Sequence, residues 1–130
     1  MTALSDSYRD IADRHLIAAK VVLDAGHTEI ATFHCYHALE SIACAAICLR
    51  STVPLRHAAK IQRFGALYRH QRFMRGVEAL ALSTGSLRNA TLYPSPALEP
   101  RADLFTRDQA SRLLSRVDGA VRSITSQLGL

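Results

Sequence analysis

Apolar residues recur along most of this chain at the steps of an amphipathic helix, and no alternating strand pattern or internal repeat occurs. From Ser5 or Asp6 to about Ala25, the residues Leu4, Tyr8, Ile11, Ala18 or Ala19, and Val22 mark an inner face. Asp6, Arg9, Asp10, Asp13 and Arg14 fill the other side, and Gly26 supplies a stop signal. Thr28 is read as the cap of a second helix from Glu29 to Arg50, which is apolar nearly all round. Such a helix lies at the centre of a bundle or is covered on its second face by another chain. Thr52 to Pro54 end it. A short third helix, from about Leu55 to Tyr68, turns Ala59, Phe64 and Leu67 inward. The fourth begins near Arg72 and directs Phe73, Val77, Leu80 and Leu87 to the core. Ser83-Thr84-Gly85-Ser86 are poor helix formers and predict a kink or short break within it. Pro94, Pro96 and Pro100 make 94–105 a loop. Thr106 and Gln109 form a capping box for a last helix with the inner stripe Ala110, Leu113, Leu114, Val117, Val121, Ile124 and Leu128. Acid–base pairs at i,i+4 are expected for Asp10–Arg14, Asp108–Arg112 and Asp118–Arg122. The pattern is all-α: an up-and-down bundle of five helices, four long and one short, in a single domain over residues 1–130.

The length of 130 residues suffices for a core, and 48% of it is hydrophobic. No apolar run reaches the roughly eighteen residues of a membrane helix. The first residues carry Asp6, Asp10 and Asp13 where a leader would be basic. The expectation is a soluble, unprocessed, cytoplasmic protein with no membrane role. Cys35, Cys44 and Cys48 all fall in the second helix, which suits a reducing compartment rather than a disulfide framework.

Charge changes the picture more. The net charge is +5, but residues 41–77 contain no Asp or Glu while carrying Arg50, Arg56, Lys60, Arg63, Arg69, Arg72 and Arg75. Such segregation points to a basic face and an anionic partner. Fourteen of the sixteen cations are arginine, whose planar fork suits phosphate. Arg56, Lys60 and Arg63 share one face of the third helix with His57 beside them, and they are expected to lie together on the surface and bind an anion. A solvated basic face is the plainer reading.

Two further groups carry candidate chemistry. Glu40 is an acid inside an apolar helix, so it must be paired or belong to a site or interface. His34 and His37 share a face, but no third ligand joins them at a recognised spacing. Cys44 and Cys48 read as core filler, and no metal or cofactor is expected. Arg88, Asn89 and Tyr93 gather a cation, an amide and a phenol just before Pro94, where Arg88 could simply cap the helix end.

Gly26, then Phe33 through Glu40, Pro54 and His57, then Leu87-Arg88-Asn89 with Tyr93, and finally the helix after Thr106 resemble the HEPN domains in their order and spacing. The similarity covers nearly the whole chain. It implies a small helical bundle that acts on RNA or nucleotides, often encoded beside a nucleotidyltransferase as toxin and antitoxin. Active members are metal-independent ribonucleases in which an Arg, a polar residue and a following His from two protomers meet at a dimer interface. Arg88 and Asn89 match the first two positions; Tyr93 stands where the histidine would be. A tyrosine, with an ordinary pKa of about 10, is a poor general base at neutral pH. Cys44 also stands where related chains often place a lysine. The resemblance therefore implies a homodimeric RNA- or nucleotide-binding protein with a degenerate motif and a possible nucleotidyltransferase partner. An active ribonuclease toxin centred on Arg88 and a helical module that binds proteins are the alternatives.

Overall fold

The structure is a computed structural model that describes residues 2–92 and 106–130, with the backbone alone over 86–92. Its five helices are α1 (Ala3–Asp24), α2 (Thr28–Cys48), α3 (His57–Tyr68), α4 (Met74–Leu92) and α5 (Arg107–Leu128). The described residues contain no strand, and none of their helices is long and apolar enough to cross a membrane. The expected all-α five-helix bundle is what forms, with α3 as its short member.

α2 is the axis, and all four other helices pack on it. Every residue from Ala38 to Ile47 is buried. Ala31, Ala38, Ala43, Ala45 and Ala46 let the neighbouring helices approach closely, while Leu39, Ile42 and Ile47 fill the space between them. Its own chain therefore covers α2 on all sides, and the helix does not need a second chain for burial.

α1 folds back on α2 through a turn in which Gly26 adopts φ +88°, a conformation that L side chains rarely take. Thr2 caps α1 by accepting a hydrogen bond from the Ser5 amide at 3.1 Å. The buried face of α1 is Ser5, Ala12, Leu16, Ala19 and Leu23, rotated from the expected one; Leu4 and Ile11 are exposed. The small residues win because α2 presents alanines there. The Ser5 hydroxyl also satisfies itself by donating to the Ala45 carbonyl at 2.9 Å. α2 starts one residue earlier than expected: His27 is its N-cap, without a side-chain bond, and Thr28 is already helical.

α3 lies across the second half of α2. His57 stands beside Glu40, while the Tyr68 hydroxyl donates to the Ala46 carbonyl at 2.6 Å. α4 then runs antiparallel to α2, from Phe73 stacked on Phe64 to Gly85 beside the Tyr36 ring. The expected break at Ser83–Ser86 is absent, and α4 is continuous to Leu92. Thr84 is fully buried and returns its hydroxyl to the Leu80 and Ala81 carbonyls at 2.9 and 3.3 Å. A Cβ at Gly85 would sit 3.9 Å from Tyr36, so these small residues allow close contact with α2. Tertiary packing overrides their poor propensity. α5 opens with the expected capping box of Thr106 and Gln109 and closes at Gly129, φ +67°. Its stripe from Ala110 to Ile124 is buried as expected, and Asp118 pairs with Arg122 at 3.1 Å.

Candidate functional site

Glu40 is the organising charge of the site. Its carboxylate is 6% exposed and accepts three side-chain donors. Tyr36, one turn earlier on α2, donates its hydroxyl to Oε2 at 2.5 Å. His57 donates Nδ1–H to the same oxygen at 2.6 Å, and Lys60 donates Nζ to Oε1 at 3.2 Å. Burial pushes the carboxyl pKa up. The hydrogen bonds from Tyr36 and His57, with the charges of Lys60 and His57, outweigh burial and hold it below the ordinary carboxylate value. Burial likewise favours a neutral Lys60, yet Glu40 overcomes it and raises the ammonium pKa. The pair is ionised at neutral pH.

Chain geometry explains why these groups meet. Tyr36 and Glu40 share a face of α2 at i,i+4 spacing, and His57 and Lys60 fall on the first turn of α3. Val53 and Pro54 in the connector bring that turn back over the middle of α2. Tyr36 also faces α4 at Gly85, and position 88 follows one helical turn later. The side chains of Leu87, Arg88 and Asn89 lie outside the described residues, as does Tyr93.

The basic residues in and around α3 have separate roles. Arg56 is exposed at the helix start, and His57 and Lys60 turn to Glu40. Arg63 donates to the Thr52 carbonyl at 2.7 Å and so fastens the α2–α3 connector. Arg50 donates to the Leu67 carbonyl at 3.0 Å, with its guanidinium 4.6 Å from the Tyr68 ring centre. The expected face of Arg56, Lys60 and Arg63 is thus divided between solvent, a buried ion pair and a loop brace.

Two features were not singled out from the sequence. Tyr36 is the first; its spacing to Glu40 was the available signal. The second is a contact between His15 Nδ1 of α1 and His34 Nδ1 of α2 at 2.9 Å, where one ring donates and the other accepts. Burial lowers both pKa values, and the neighbouring His34 lowers that of His15 further. His37 lies beside them, 5.4 Å from the His15 ring between centres. Among the described residues, no three His, Cys, Asp or Glu side chains converge on a point a metal ion could occupy. Cys35 and Cys44 have thiols pushed up to about 12 by burial, which leaves them protonated core residues rather than nucleophiles.

Comparison with curated proteins and with solved structures gives no match. The family profile of the HEPN domain matches residues 5–126. That span runs from the first turn of α1 to the last turn of α5 and takes in the Glu40 cluster and α4. Its extent, together with the five-helix architecture, decides the assignment: the chain belongs to the HEPN domain family.

Proposed function

We propose that this protein binds RNA or a nucleotide on the face where α2 meets the second half of α4. The observation that carries the reading is the buried Glu40 carboxylate, which holds Tyr36, His57 and Lys60 together, with the Tyr36 ring beside Gly85, one helical turn before position 88. A buried, fully bonded charge network is an expensive way to stabilise a helix pair, because hydrophobic replacements of similar volume often do as well. Its value here is positional. Glu40 holds a histidine and an ammonium in place, Arg56 is exposed at the start of α3, and the reading assigns both Arg56 and Arg88 to phosphate contacts. In the same reading Asn89 and Tyr93, close to Arg88 in sequence, offer an amide and a phenol.

The role follows from what these groups can do. Arginine and lysine beside a phosphate bind it and stabilise added negative charge. Proton transfer at neutral pH needs a group that titrates there, and Tyr93 is a weak choice. We therefore place the protein as a binding component of a toxin–antitoxin or nucleotidyltransferase-linked pair in the cytoplasm. A homodimer joins two such faces through the Arg88 region. Sedimentation showing only a 14.3 kDa species at micromolar concentration would remove the dimer from this reading.

The test is binding of labelled single-stranded RNA and of mononucleotides to Arg88→Ala. Affinity is expected to fall by about tenfold or more. Thermal unfolding should stay unchanged, because in this reading the guanidinium serves the ligand and not the core. RNA affinity should also fall linearly with the logarithm of salt concentration. Unaltered affinity in Arg88→Ala would refute the site. Tyr93→His tests whether catalysis is silenced: appearance of metal-independent cleavage supports a degenerate motif. Cleavage by the unsubstituted protein that Arg88→Ala abolishes would make it an active ribonuclease instead.

A further inference from the structure

His15 on α1 and His34 on α2 form a pair that the Glu40 network does not use. The turn at Gly26 folds α1 back along α2, and the buried residues Ala12, Leu16 and Ala19 draw the two helices together around His15. The two Nδ1 atoms come within 2.9 Å, and the ring centres stand 5.2 Å apart. The partner of His34 is therefore a histidine across the helix pair, rather than His37 on its own helix. A hydrogen bond satisfies one N–H and one lone pair in this contact. Two imidazoles that meet nitrogen to nitrogen at half-buried positions also supply what a zinc-like ion collects.

The ring spacing selects the coordination geometry. A zinc–imidazole bond is roughly 2.0–2.1 Å and the ring centre lies about 1.1 Å behind the nitrogen, so each centre stands about 3.2 Å from the ion. Two such rings at the tetrahedral angle have centres about 5.2 Å apart and nitrogens about 3.3 Å apart. The observed centres already have that separation, so the rings need only turn toward a common point. The square angle favoured by copper(II) or nickel(II) would bring the centres to about 4.5 Å and force the helices closer. Charge agrees with a cation here. Burial, joined at His15 by the neighbouring His34, lowers both pKa values, so the rings are neutral ligands at neutral pH. Glu40 acts the other way on His15, and its negative charge favours a positive ion beside that ring.

We infer that His15 and His34 bind a zinc ion through Nδ1 and that the ion staples α1 to α2. Both rings then carry their proton on Nε2, and water completes the coordination. His37 is not a ligand in this arrangement, since among the described residues no three donors converge on one point. Two protein ligands leave positions open to solvent, so the ion exchanges more readily than one enclosed by four side chains. The inference stands on the histidine pair and does not depend on RNA or nucleotide binding.

The experiment uses the full, untagged chain, stripped of metal, with zinc titrated against a competing chromophoric chelator and cobalt as its spectroscopic substitute. The expected result is one zinc per chain, a thermal midpoint that rises with zinc concentration, and the intense visible bands of tetrahedral cobalt. His15→Gln and His34→Gln should each weaken zinc binding by about tenfold or more, with the helical circular dichroism retained. His34→Cys keeps a metal ligand and should recover the binding that His34→Gln loses. That recovery separates a ligand from a residue that only shapes the helix pair, and it decides the question if a glutamine variant fails to fold. His37→Gln should leave the affinity unchanged. Zinc binding that persists in both His15→Gln and His34→Gln, or that is lost in His37→Gln or Cys48→Ser, would place the ion elsewhere and overturn the inference. Failure of the unsubstituted protein to bind zinc would overturn it as well, and none of these results bears on the Arg88 reading.

Discussion

The Glu40 cluster and the α4–α5 groove hold charge in opposite ways. At Glu40 a buried carboxylate is matched by a hydroxyl, an imidazole and an ammonium, so the chain satisfies its own charges. In the groove between α4 and α5, Arg72 and Arg116 line an open concavity, and among the described residues no acid lines it with them. The first arrangement must persist for the fold to hold, because a buried ion without its partner is strongly unfavourable. The second leaves the fold indifferent to its cations. Mutational stability should therefore separate the two regions even before any ligand is tested.

The largest effect is expected at the carboxylate. Glu40→Ala strips Tyr36, His57 and Lys60 of their common acceptor, and urea unfolding should show a loss of about 2–3 kcal/mol. That is somewhat less than for a fully enclosed pair, because water can reach part of Lys60 and His57. Glu40→Gln, which keeps an acceptor, should lose less. If Glu40→Ala were neutral, the two regions would not differ in the way proposed.

A smaller change of opposite sign is expected in the groove. Gly119→Ala should stabilise the protein by up to about 1 kcal/mol, since a methyl group there meets no neighbour and helix propensity improves. Destabilisation would mean that the glycine serves packing after all.

Acid should affect the Glu40 side of the molecule and not the groove. His15 and His34 have folded pKa values below the ordinary 6.5, so the unfolded chain binds more protons in that range. Stability is accordingly full above that value and is lost as pH falls through it toward the folded values. Glu40, with its depressed pKa, adds a second loss at lower pH, as the medium falls below 4.5 toward its folded value. Thermal unfolding of His15→Gln between pH 7 and 5 should show a shallower slope than the unsubstituted protein. The least effect of all belongs to Arg72→Gln and Arg116→Gln. Each should shift stability by no more than about 0.5 kcal/mol, as surface changes away from special features do.

How much of this was legible in the sequence varies by element. The capping box at Thr106, the stripe of α5 and the stop at Gly26 were readable because each is local: the residues that interact lie within a turn of one another. The inner face of α1 was not. Leu4 and Ile11 look more suited to a core than Ser5 and Ala12, yet the alanine-rich surface of α2 selects the smaller residues. Continuity of α4 through Gly85 was misread for the same reason, since its neighbour Tyr36 lies far away in sequence.

Glu40 shows the division most clearly. An acid in an apolar helix had to find partners, and that much follows from the cost of burying a charge. Which residues would supply them did not follow, because His57 and Lys60 reach it only after the connector carries α3 back over α2. The sequence by itself determined five helices, the capping box of the last and the acid-free stretch from 41 to 77, all set by spacing and composition. Only the tertiary structure decided which of those cations are spent inside the fold, as Lys60 is, and which stand in an open groove, as Arg72 does. Pairing depends on distances between helices, and no local pattern records them.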